Sequence, residues 1–287
     1  RSRALQSSSG FELTKLFVGS EGMLGVITRL RLKVIPKPRT RGIVMGEFGR
    51  LTAAGESVVA VLNAGILPSA IEILDASAIK AVNIYRPGLK LPNAEAILLY
   101  EVDGNAPSVA HDARKIAEVV TPLADRVEWS DEPKRVAALW EARSVVGAAS
   151  GQIKPGSARV YAGEDICVPL LRVPDTLLAI QRLAQQHDLT VVTYGHIASG
   201  NIHPAPVINV ADPEQVRRVR LFADAVHRLA REMGGTVTGE HGVGLTRIAY
   251  MREEHGPALD VMWTLKQALD PHNIMNPGKL FPPELTG

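Results

Sequence analysis

The sequence predicts an α+β fold, a mainly antiparallel sheet with packed helices, and two observations carry that expectation. From residue 42 to about 210, short apolar and β-branched runs alternate with single stretches of helical periodicity. Near the end of that region, the apolar runs at 189–194 and 207–210 flank Ser199-Gly200, a turn signal that joins two strands into a hairpin. Short strands separated by single helices suit a layered α+β domain, and a parallel α/β sheet is the competing arrangement.

In chain order, the periodicity places strands at 42–48, 70–74, 96–102 and 126–129, with a short strand at 164–168. Helices are expected at 51–63, 75–84, 107–121, 133–147 and 175–187. This order suits a ferredoxin-like split unit with helices on one face. Before it, Gly19-Ser20-Glu21-Gly22-Met23-Leu24-Gly25 leads into the alternating run at 26–35, an expected strand. Glycines so dense let backbone approach a ligand closely and expose N–H groups to phosphate, but from spacing alone a turn entering a hairpin is the favoured reading. A dinucleotide-binding fingerprint is excluded, since a helix should follow the glycines and a strand pattern does. Pro36-Lys37-Pro38-Arg39-Thr40-Arg41 has linker composition and sets a domain boundary near residue 38. Beyond the hairpin come a long amphipathic helix at 212–233, on which His227 is expected to be exposed, and a strand at 236–238. A helix to about Leu269 and a turn-rich tail follow, in which Asn276 and Lys279 are placed to reach a cofactor.

The candidate chemistry gathers in Gly195-His196-Ile197-Ala198-Ser199-Gly200-Asn201-Ile202-His203 and in Gly239-Glu240-His241-Gly242. If Ser199-Gly200 forms a two-residue loop, His196 stands opposite His203 on one face, with Cβ atoms about 4.5–5.5 Å apart, close enough to share one ion. A slip of one residue would separate them. Trp140-Glu141-Ala142-Arg143 offers a guanidinium for a carboxylate, or an ordinary surface arginine. Glu164-Asp165 is most simply a solvated strand edge.

Composition narrows the partners. Lys and Arg total 32 against 30 Asp and Glu, which supplies no field for nucleic acid or an anionic membrane surface. No run is long and apolar enough for a transmembrane helix. Cys167 is the single cysteine; it cannot form an intrachain disulfide, reads as a small buried hydrophobe, and suits a reducing, cytoplasmic compartment.

Four colinear strings resemble the FAD-linked oxidase family, typified by glycolate oxidase FAD subunits and D-lactate dehydrogenases within the vanillyl-alcohol-oxidase-type flavoproteins. They are the segments 10–28, 195–204, 235–244 and 269–281. The resemblance implies that 1–38 is the end of an FAD-binding domain of that type. Residues 39–287 would then be the substrate and metal domain, with 270–287 returning to the FAD side. It implies FAD-dependent oxidation of a 2-hydroxy acid, with glycolate and D-lactate foremost, assisted by a divalent, zinc-like metal. By that analogy His196, His203 and Glu240 hold the metal, His241 is the general base and Arg143 clamps the substrate carboxylate. Gly19, Glu21, Gly22, Gly25, Ile27 and Asn276 would touch FAD. An electron acceptor (quinone, cytochrome or iron–sulfur subunit), a homo-oligomer and a location in the cytoplasm or at the inner membrane's periphery are also implied. Relatives carry a longer N-terminal region with the loop that grips the FAD pyrophosphate, so the 287-residue chain is expected to hold FAD poorly. They also show Gly-Asp-Gly-Asn where this sequence has Ala198-Ser199-Gly200-Asn201, and some have Asn at the position of Ala205. A flavin-free metallohydrolase and a non-catalytic subunit are the rival classes.

Overall fold

A computed structural model describes residues 8–286. Two compact units are present: Ile35–Glu240, and a second that combines the described residues before 35 with those from His241 onward. No helix among the described residues is long and apolar enough to cross a membrane.

The larger unit is built on eight strands: β1 (Thr40–Phe48), β2 (Ala70–Asp75), β3 (Ala96–Gly104), β4 (Arg126–Ser130), β5 (Ala158–Arg159), β6 (Ile166–Cys167), β7 (Thr190–His196) and β8 (Asn201–Ile208). They lie in the order β4-β1-β3-β2-β7-β8-β5, with β6 also pairing to β8. Every pairing is antiparallel, so the parallel alternative is excluded. The first four strands take the order 4-1-3-2 of a ferredoxin-like unit, and helices 51–63 and 106–120 make its two crossovers.

Both faces of the sheet are covered, which corrects the expectation of helices on one face. Val44, Phe48, Ile73, Leu98 and Tyr100 pack under helices 51–63, 106–120, 173–186 and 213–232. On the opposite face Ile43, Met45, Leu74, Ile97 and Leu99 meet Ala78 and Val82 of helix 76–85, Leu139 of helix 133–144 and Val146 of helix 146–150. A strand buried on both faces reads as a continuous apolar run, and β3 begins with seven consecutive buried residues.

Local chemistry fixes the helix starts. Asp75 and Asn105 accept from the backbone N–H of Ala78 and Ser108, and Asp212 accepts from those of Glu214 and Gln215. Enclosure of the Asp75 carboxylate, which also accepts from the Thr193 N–H at 3.0 Å, outweighs these hydrogen bonds and lifts its pKa to about 7. On the helix 213–232, position 227 falls in the stripe of Phe222, Ala223, Val226 and Ala230. His227 is therefore buried rather than exposed.

The smaller unit closes over Met23, Val243, Met251, Leu259, Leu280 and Phe281. Lys266, fully buried in helix 258–269, donates to the Met23 and Met275 carbonyls and pairs with Asp270, which ties its three segments together. Burying a lone ammonium is costly, and three acceptors offset that cost. Two expected strands are absent. Residues 26–35 pair with no described strand and stay exposed, because an alternating pattern forms a ladder only where a partner edge is available. Residues 236–238 of the larger unit make a single bridge, Thr236 to Cys167.

Candidate metal centre

The two histidines share a face, by a different register from the one expected. Tyr194 pairs with His203 and Thr193 with Pro204, a slip of two residues from the predicted alignment. Residues 197–199 form a turn of 3₁₀ helix instead of strand, and Gly200 closes it at φ 78°. A Cβ on Gly200 would stand 1.9 Å from the Val168 carbonyl oxygen, so the turn's packing against 168 demands glycine. Because side chains alternate with period two, a slip of two keeps both imidazoles on the same face and makes them diagonal rather than directly opposed. Their rings are perpendicular, with centroids 5.6 Å apart.

Each imidazole directs Nε2 towards Glu240. The distances to Glu240 Oε1 are 3.5 Å from His196 and 3.3 Å from His203. Ligand atoms on a tetrahedron of about 2.0–2.1 Å bonds lie about 3.4 Å apart, so these separations are those of one ion's ligands. Each imidazole also has a carboxylate behind it. His196 Nδ1 lies 2.7 Å from Glu72 Oε1, and His203 Nδ1 lies 3.9 Å from Asp165 Oδ1. That hydrogen bond to Glu72 holds the His196 pKa above the usual imidazole range. Asp165, His203 and Glu240 also offer ligand atoms within 4.8 Å of one another. Two imidazole nitrogens and one carboxylate suit Zn, Mn, Fe or Co.

Asp165 sets the position of Glu240. Its carboxylate accepts from Thr238 Oγ1 at 2.7 Å, Asn201 Nδ2 at 2.9 Å and the backbone N–H groups of Gly239 and Glu240 at 3.1 Å. A Cβ on Gly239 would lie 1.9 Å from Asn201 Nδ2, so the loop fits this cluster only without a side chain. The expectation that Glu164-Asp165 is a solvated edge is corrected: the residues are 2% and 0% exposed. Asp165 adopts φ 69°, a left-handed conformation that Asp tolerates better than most residues, and Glu164 pairs with Arg159 at 3.0 Å.

Arg143, at the end of helix 133–144, is no ordinary surface arginine. Its Nε donates to Glu72 Oε2, and its guanidinium lies 4.9 Å over the Tyr194 ring. That ring in turn stands 5.2 Å from the ring of His203. Cys167, expected to be buried, is half-buried on the short β6, and its thiol donates to the Ser199 carbonyl oxygen.

His241 follows Glu240 in the chain and is exposed; it opens the second unit. Within that unit Glu21 accepts from the backbone N–H groups of Val243 and Gly244 at 2.6 and 2.9 Å, and its carbonyl accepts from Asn276 Nδ2 at 2.6 Å. Gly19 and Gly22 have positive φ, and a Cβ on either would meet nothing within 4 Å. Gly25 packs against the Phe17 ring, and Ile27 is 57% exposed.

Sequence reasoning missed Glu72. The signal was available, since a lone carboxylate inside the apolar run Ile71-Glu72-Ile73-Leu74 of a buried strand needs a partner.

Residues 37–280 match the family described as FAD linked oxidases, C-terminal domain. The chain belongs to that family. Among curated relatives, glycolate oxidase subunit GlcD of Bacillus subtilis is 35% identical over 95% of this chain and 58% of its own length. A probable mitochondrial D-lactate dehydrogenase of Danio rerio is also 35% identical, over 99% of this chain and 56% of its own length. The chain thus spans a little over half the length of these relatives. Two solved structures share the fold. The 4-ethylphenol oxidase of Gulosibacter chungangensis has a TM-score of 0.65 at 18% identity, covering 88% of this chain and 56% of the other. p-Cresol methylhydroxylase gives 0.65 at 15% identity, with coverages of 86% and 53%. The expected α+β fold, with a ferredoxin-like unit in a mainly antiparallel sheet, is the one observed, and these structures share it.

Proposed function

We propose that this chain carries the metal- and substrate-binding part of an FAD-dependent dehydrogenase that oxidises a 2-hydroxy acid, glycolate or D-lactate, to the 2-oxo acid. The observation that supports this most is the convergence of His196 Nε2 and His203 Nε2 on Glu240 Oε1 at 3.5 and 3.3 Å, a donor set that fits one divalent ion. When bound, that ion would acidify the substrate's hydroxyl and the flavin would accept the hydride of its α-carbon.

The chain's own residues supply the rest. His196, His203 and Glu240 are the metal ligands. Arg143 holds the substrate carboxylate with the N–H groups it does not give to Glu72. His241 takes the hydroxyl proton as the C–H bond breaks and the carbonyl forms. The glycines at 19, 22 and 25, Glu21, Ile27 and Asn276 are the surface offered to FAD, where the open space at Gly19 and Gly22 fits a close approach of backbone to a flat ligand. The names of the relatives, a glycolate oxidase subunit and a D-lactate dehydrogenase, support the substrate class.

The test begins with calorimetric titration of the 287-residue chain with zinc, expected to show one site per chain. His203→Ala should weaken it by more than the roughly 100-fold that outer-shell changes cause. Protein from the complete reading frame, loaded with FAD, should reduce a dye with glycolate or D-lactate. Zinc affinity unchanged in His203→Ala, or ester hydrolysis without flavin, would overturn the assignment.

A further inference from the structure

We infer that Glu72, held in place by Arg143, is the positioning residue of the metal centre, which rests on the metal reading above. Glu72 lies on β2 directly across from His196 on β7. Its side chain is 4% exposed, and its two oxygens go to two different partners: Oε1 to His196 Nδ1 at 2.7 Å and Oε2 to Arg143 Nε. A buried carboxylate needs such partners, because removal of its hydration costs several kcal/mol if nothing compensates. Here the partner that compensates its charge is the arginine, and the other is an imidazole whose far nitrogen faces Glu240. His196 itself is 46% exposed, so little else fixes the ring's rotation.

Chemistry follows from which atom carries the proton. A carboxylate only accepts, so Glu72 keeps hydrogen on Nδ1 and leaves the Nε2 lone pair directed at the ion. Arg143 matters because its donor occupies the second oxygen and stops the carboxylate from rotating away from His196. Glutamine cannot reproduce the arrangement. Its single amide oxygen can serve Arg143 or His196 but not both, and an NH₂ facing Nδ1 would favour the tautomer with hydrogen on Nε2, the atom that must ligate.

Zinc titrations of the purified 287-residue chain test this directly. Glu72→Gln is expected to lose about 10- to 100-fold in zinc affinity. Glu72→Asp, which keeps the charge on a shorter arm, should lose less, and it carries the measurement should the glutamine variant fold poorly. The control is Glu101→Gln, another buried carboxylate, on β3, whose partners are Trp140, Ser69 and Arg41; it should bind zinc within about twofold of the parent. A Glu72→Gln variant with parental affinity, or one that loses no more than Glu101→Gln, overturns the positioning role. Loss of binding in His203→Ala alongside retention in Glu72→Gln removes the role of Glu72 alone. Retention in His203→Ala removes the metal reading and this inference together.

Discussion

The two units bring candidate site residues into place by opposite means. Around His196, His203 and Glu240, buried carboxylates hold the geometry: Glu72 and Asp165 are almost fully enclosed, and each hydrogen-bonds groups from distant parts of the sequence. Around Gly19–Gly25, Gly19 and Gly22 have positive φ and open space beside them, and the one carboxylate, Glu21, caps backbone amides. One site is set by side chains locked to a sheet register, the other by the path of the backbone. Substitutions should therefore hurt the first through buried polar groups and the second only locally.

The largest contrast is expected at Asp165. Replacing it with alanine takes the carboxylate acceptor from Thr238 Oγ1 and the Glu240 N–H, leaves the Gly239 N–H only the carbonyl of residue 165 and Asn201 Nδ2 only the Ile166 carbonyl at 3.4 Å, and places Ala at φ 69°. At about 1–3 kcal/mol for a stranded buried donor, with partial rescue by water, a loss of about 3–4 kcal/mol is expected in urea unfolding. Asp165→Asn, which tolerates the left-handed backbone and keeps one acceptor, should lose about half as much. An alanine variant within about 1 kcal/mol of the parent would show that the loop before Glu240 does not depend on this carboxylate.

This dependence also explains what was legible in the sequence. The antiparallel α+β fold followed from periodicity, since strands and helices between 42 and 187 recur within a few residues of their expected bounds. The shared face of His196 and His203 was legible because alternation fixes a face even when the register is two residues off. Asp165 was not legible, because its partners are 36 to 75 positions away and nothing local distinguishes a buried acid from a solvated one. Glu72 was legible as a buried acid from its apolar run, but its partners were not, since they lie 71 and 124 positions further on. The failure at 26–35 is the converse case, since local alternation was correct and the partner edge was what the pattern could not supply.

Asp75 sharpens the comparison by pH. It is the second carboxylate of β2, partly buried and facing the backbone amides of Ala78 and Thr193, and desolvation holds its pKa near 7. An unfolded aspartate titrates near pH 4. Between those values the native protein holds a proton that the unfolded chain lacks, so stability should fall as pH rises from about 4 to 7. Asp75→Asn mimics the protonated form. It should unfold at a higher temperature than the parent at pH 8, with the gap closing by pH 5. A gap that is the same at both pH values would refute the raised pKa.

The smallest effect is expected in the second unit. Glu21→Ala removes the acceptor for the Val243 and Gly244 amides, yet both hydrogen bonds are only partly buried, as is Glu21 itself. The cost should be about 1 kcal/mol, and Glu21→Gln, which keeps one acceptor, should recover part of it. Hydrogen exchange provides the sharper reading. In Glu21→Ala the Val243 and Gly244 amides should lose protection, while those of 190–196 on β7 should not change. A loss of protection on β7 would mean that the two units share one stability, and the contrast between a side-chain-locked site and a backbone-shaped one would then fail as a description of how this chain is held together.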